Sequence, residues 1–137
     1  MTFKGRLLLV GSLVLLAGML LTACGGGANP AEISVDMEEF MFDPQNYTVP
    51  AGAEVTIHMN NSGTLEHEFT IVKLGERLTP PIDESSVEDK IFWEHELAAG
   101  ESETLTFTAP SEPGEYQIVC VIPGHLEQGM EAKLIVE

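Results

Sequence analysis

Positive charge is scarce in this chain: its 137 residues carry six Lys and Arg against 22 Asp and Glu, a formal net charge of −16. Binding a phosphate backbone needs clustered cations, so nucleic acid is excluded as a partner. Cysteine is rarer still, with Cys24 and Cys120 alone. Neither an internal repeat nor a sustained helical period runs along the chain, which removes solenoids and helical bundles. One long apolar run exists, the fifteen residues Leu7 to Leu21. A membrane-spanning helix wants about 20 such residues, so this run is too short to favour a span.

That run belongs to a processing signal. Lys4 and Arg6 precede it and small residues come after it around Ala23, the order of a secretory signal peptide over residues 1–23. The stretch Leu21-Thr22-Ala23-Cys24 resembles the bacterial lipobox, which implies acyl chains on Cys24. One chain binds a membrane marginally and two or three bind it stably. Residues 24–31 then read as a lipidated flexible tether, with Gly25 to Pro30 supplying the freedom. Residues 32–137 read as one domain. The expected location is outside the cytoplasm, on a membrane. Without Lys4 and Arg6, four basic residues remain against the 22 acids. Such a surface can steer a basic partner protein, and solubility alone explains it equally simply. With Cys24 committed to lipid, no internal disulfide can form. Cys120 is left as a lone thiol that asks for a role.

Short alternating apolar segments separated by Gly, Pro, Asn and Ser predict an all-β antiparallel sandwich. Strands are expected near Ile33–Met37, Asn46–Val49, Glu54–Asn60, Glu66–Leu74, Glu103–Thr108, Glu115–Val121 and Glu131–Val136. Between Thr79 and Leu97 a short helix is expected. Ser85-Ser86-Val87-Glu88 offers a capping box there, and Val87, Ile91 and His95 share a helical face. Trp93 and Phe92 would pack this excursion on the sandwich.

Period-two counting sets the direction of the chemistry-bearing side chains. His67 shares a face with Phe69 and Ile71, and Cys120 with Tyr116 and Ile118, so both point inward. Singly, each has a plain structural explanation, since a free Cys packs as a small hydrophobe and a buried His is often just hydrogen-bonded. The ten residues after Cys120 add weight: Cys120-Val-Ile-Pro-Gly-His125-Leu-Glu-Gln-Gly-Met130 offers thiolate, imidazole and thioether from one loop. His58 and His95 read as surface or packing residues. Met37, Met41 and Met59, at strand spacing, read as core. The pair Glu38-Glu39 and the acids from Asp83 to Glu96 read as solvated charge.

A Cys-x4-His-x4-Met loop closing a β-domain, with an earlier strand-borne His, resembles the cupredoxins, and the resemblance covers nearly all of residues 32–137. Phe40-Met-Phe42-Asp-Pro44, Val49-Pro-Ala-Gly52, Asn60-Asn61 and His67-Glu-Phe69 are similar to the family's N-terminal half. Leu97-Ala-Ala-Gly-Glu101, Phe107-Thr-Ala-Pro110 and Pro113-Gly-Glu-Tyr116 are similar to its approach to the Cys. The ligand spacing resembles the auracyanins and sulfocyanins. The resemblance implies a Greek-key β-sandwich binding one type 1 copper through His67, Cys120, His125 and Met130. It implies a monomeric, non-enzymatic carrier of single electrons between redox proteins such as a cytochrome or oxidase, with copper delivery or storage as the alternative. Soft thiolate and thioether suit Cu(I) while imidazole suits Cu(II), so the set compromises between the two states. Structural zinc rarely uses Met. The dinuclear Cu_A centre needs a second loop Cys, and four His in one domain cannot build a trinuclear cluster. One departure is Glu68, where plastocyanin and azurin have Asn directly after the first His.

Overall fold

The computed structural model describes residues 29–137. The expected signal peptide, Cys24 and most of the tether lie outside the described residues. Among the described residues nine strands form: β1 Ala31–Glu38, β2 Met41–Asp43, β3 Asn46–Val49, β4 Glu54–Asn61, β5 His67–Val72, β6 Ile91–Leu97, β7 Ser102–Thr108, β8 Gly114–Val119 and β9 Glu131–Val136. They build two facing sheets, ordered β2-β1-β4-β7 and β3-β9-β8-β5-β6. The sandwich is cupredoxin-like, as expected. Both sheets are mixed, because β1 runs parallel to β4 and β3 parallel to β9.

Alternation drives the assembly. In β1, Ile33, Val35 and Met37 face in while their neighbours face out, and β4 repeats the pattern with Val55, Ile57 and Met59. From the other sheet Phe69, Ile71, Tyr116, Ile118 and Leu134 meet them, closing one continuous core. Strands β5 and β8 are buried on both faces. Their outer side carries Val72, Val119 and Val121 against Leu78, Ile82, Val87 and Leu126, a second apolar cluster made by the chain between β5 and β6. Gln117 ties that covering segment down, since its side chain accepts the Leu78 N–H at 2.8 Å and donates to the Leu78 carbonyl at 3.0 Å.

The short helix expected between Thr79 and Leu97 is replaced by two 3-10 turns, Glu84–Ser86 and Glu88–Lys90, and then by β6. The reason is a competing period. Ile91, Trp93, His95 and Leu97 are the more buried half of a strict alternation, with acids or Phe92 between them. Trp93 stacks on Phe107 at 4.7 Å, contacts the Phe69 ring edge at 6.4 Å, and so closes the side of the sandwich. Burying that aromatic outweighs a marginal helix of two turns.

Candidate metal centre

Three sequence-predicted residues meet at one end of the core. His67 opens β5, Cys120 comes directly after β8, and His125 lies in the loop between β8 and β9. His67 and Cys120 are fully buried and His125 is 8% exposed. Their Nδ1, Sγ and Nδ1 atoms bracket a single point: His67 Nδ1 is 3.2 Å from His125 Nδ1, and Cys120 Sγ is 3.2 Å from His125 Nδ1. All three donor atoms lie within 4.8 Å of one another.

The loop's turn chemistry makes this possible. Ile122-Pro123-Gly124-His125 closes with the His125 N–H donating to the Ile122 carbonyl at 3.1 Å. Pro at the second position and Gly124 at φ +92 at the third are what such a turn demands. Next comes a 3-10 turn over Leu126–Gln128, ended by Gly129 at φ +95. The chain thereby returns, so that the Met130 N–H donates to the His125 carbonyl and the Met130 carbonyl accepts the Cys120 N–H, each at 3.2 Å. Met130 is fully buried, and its backbone is joined directly to those of Cys120 and His125.

The site's electrostatics fit a soft cation. Burial pushes the Cys120 thiol up to about 11, opposed by the N–H groups of Glu68 and Ile122. Burial lowers both imidazoles, His67 with help from His125. At neutral pH the pocket therefore holds neutral rings with free lone pairs, and a thiol that gives up its proton when a cation takes its place. The Glu68 N–H stands 3.4 Å from Cys120 Sγ, able to donate to a thiolate. Nε2 of His67 is buried without a hydrogen-bond partner among the described residues. This donor set, with Met130 in the same loop, suits copper: two imidazoles and a thiolate held by a strand and a hydrogen-bonded loop.

Asn61 and Glu68 stand out in the sequence, but what their side chains bond to emerges only in the fold. Asn61 is fully buried, donates to the carbonyls of Leu65 and Leu97 at 2.8 and 2.9 Å, and accepts the Gly63 N–H at 3.0 Å. It ties the end of β4 to the loop that leads into β5 and to the end of β6. The Glu68 side chain turns away from the donors, accepts the Thr70 hydroxyl at 2.7 Å, and has its pKa raised to about 7 by burial, the charges of Glu94 and Glu96 adding to it. The signal available in advance was Asn60-Asn61-Ser62-Gly63, a polar cluster directly before the ligand-bearing strand. His58 and His95 lie away from the donors, paired with Glu32 and Glu103. Glu66, Glu68, Glu88, Glu94 and Glu96 line a groove of about 380 Å3 with Val121 and Ile122, on the loop's flank. A larger concavity of about 520 Å3, with Asp36, His58 and Thr104 in its lining, contains none of the donor residues.

Comparison with known proteins agrees with this geometry. The cupredoxin-like domain family matches residues 11–136. Auracyanin-A of Chloroflexus aurantiacus is 34% identical over an alignment covering 86% of this chain and 89% of that protein. A copper-resistant cuproprotein, CopI of Rubrivivax gelatinosus, is 30% identical over 76% of this chain and 65% of its own length. The reduced auracyanin of Roseiflexus castenholzii superposes with a TM-score of 0.64 at 33% identity, covering 82% of this chain and 99% of that one.

Proposed function

The chain belongs to the cupredoxin-like family of blue copper electron carriers, and on that premise we propose that His67, Cys120, His125 and Met130 hold one type 1 copper ion and that the protein passes single electrons between redox partners. The observation carrying this reading is the convergence of two imidazole nitrogens and one thiol within 4.8 Å in a buried pocket. Bound copper would supply a Cu(II)/Cu(I) couple, and everything else is done by the chain. Strands β5 and β8 fix His67 and Cys120, and the doubly bonded loop fixes His125 and Met130, so little moves when the charge changes. His125 alone of the three converging donors retains surface exposure, which makes its ring edge the exit for the electron.

The finer parts of the reading concern place and partner. Cleavage after residue 23 leaves Cys24 lipidated, residues 24–31 as tether and residues 32–137 as the domain, outside the cytoplasm. The glutamate-lined groove beside the loop favours a basic redox partner such as a cytochrome or oxidase, through steering that weakens with salt. The carrier works as a monomer and performs no substrate chemistry.

Likeness to a copper-resistant cuproprotein favours a second reading, copper delivery or storage at the same donors. Visible and EPR spectra of the copper-loaded protein, with a redox titration and chelator challenge, separate the two. A carrier is intensely blue when oxidised, reversible at one potential and slow to surrender copper. Rapid loss of copper to the chelator supports delivery instead, and a colourless protein refutes the ligand set.

A further inference from the structure

The two-residue turn Glu39-Phe40, between β1 and β2, reaches both histidines. Glu39 Oε1 accepts the Thr64 N–H and, at 2.8 Å, the Thr64 hydroxyl, which pins the carboxylate over the loop leading into β5. Those bonds hold the Glu39 carboxyl below its usual range. A Cβ built on Gly63 would stand 3.1 Å from Glu39 Oε1, 3.2 Å from Asn61 Oδ1 and 3.2 Å from His67 Nε2. The Glu39 carboxylate, the Asn61 amide oxygen and His67 Nε2 thus border the same small space beside Gly63, although neither oxygen is hydrogen-bonded to the ring nitrogen. A ring nitrogen facing oxygens is favoured as N–H, which leaves the lone pair on Nδ1, the atom aimed at Cys120 and His125. Phe40 sits at φ +61, a region costly for a bulky residue, and its ring meets His125 edge-on at 5.2 Å and 82°. Such strain persists where packing over-determines it.

We propose that the Glu39-Phe40 turn is a positioning element for both imidazoles: the Glu39 carboxylate places a negative charge on the Nε2 side of the His67 ring, which biases that ring toward its Nε2–H tautomer without a direct bond, while Phe40 sets the tilt of His125. The inference rests on the assignment of His67 and His125 as copper ligands. A fixed negative charge favours Cu(II) over Cu(I), so Glu39 lowers the reduction potential.

Two arms test it. In the metal-free protein, nitrogen-resolved imidazole NMR should find His67 as the Nε2–H tautomer, and an Nδ1–H tautomer overturns the role of Glu39 whatever copper does. In the copper-loaded protein, Glu39→Gln keeps an oxygen for Thr64 but removes the charge. It should shift the Cu(II)/Cu(I) affinity ratio toward Cu(I) by up to about tenfold, about 59 mV in potential. Thr64→Val keeps the charge and should shift the potential much less. An unchanged potential in Glu39→Gln, or an equal shift in Thr64→Val, overturns the electrostatic part. Phe40→Leu should change the copper hyperfine pattern in EPR, and an unchanged spectrum removes Phe40 from the proposal. Should the unaltered protein fail to turn blue, the ligand assignment falls, and the NMR arm still decides the Glu39 part.

Discussion

The four histidines divide into two pairs that use the same side chain in opposite ways. On the sheet surfaces, His58 contacts Glu32 at 2.6 Å and Thr104 at 2.9 Å, and His95 contacts Glu103 at 2.9 Å. At the loop end of the core, His67 and His125 are buried, their Nδ1 atoms are 3.2 Å apart, that of His125 is 3.2 Å from a thiol, and among the described residues no carboxylate is hydrogen-bonded to either ring. The surface rings already have polar partners on neighbouring strands. The buried rings are held in place by backbone and packing while their inward lone pairs are kept free, and that combination makes a metal site.

The contrast can be broken most severely at Cys120. Cys120→Ser should abolish the blue absorption and weaken copper binding by more than the 10–100-fold typical of losing a supporting group. Retained colour would dissolve the distinction between the two regions. Copper loading itself comes next. At about 100 times its dissociation constant the metal should stabilise the fold by about 2.7 kcal/mol, a rise of roughly 10 °C in calorimetry that Cys120→Ser loses. A smaller effect is expected from Gly63→Ala, whose methyl would crowd His67 Nε2 at 3.2 Å. It should shift the visible band and cost about 1 kcal/mol in denaturant unfolding. Smallest are His58→Gln and His95→Gln, which remove exposed or half-exposed pairs. Both should leave the spectrum intact and change stability by about 0.5 kcal/mol or less. A bleached His58→Gln protein would reverse the contrast.

Much of this is legible in the chain. Period-two counting orients His67, because Glu66, Glu68 and Thr70 mark the other face of its strand in the sequence, and orients Cys120 less sharply, because both faces of its strand are fairly apolar; the Cys-x4-His-x4-Met spacing is local information. Strands β3 and β9 are legible to their observed bounds, since turn residues bracket them. β6 reads as helix because Ser85 to Glu88 mimics a helix start and Val87, Ile91 and His95 fit a helical face by coincidence. The alternation of Ile91, Trp93, His95 and Leu97 is the better guide. β2 escapes because three residues carry too little pattern. The parallel pairings of β1 with β4 and β3 with β9 are non-local, and no short-range signal encodes them. Glu39 passes for solvated charge because its meaning depends on Thr64 and Gly63, about 25 residues on in sequence and adjacent only in the folded loops.

The convergence of the donors is tested most directly by anomalous diffraction at the copper edge from crystals of the copper-loaded protein. The expected result is one strong peak per chain between His67 Nδ1, Cys120 Sγ and His125 Nδ1. A peak beside His58, or in the glutamate groove with that pocket empty, would contradict it.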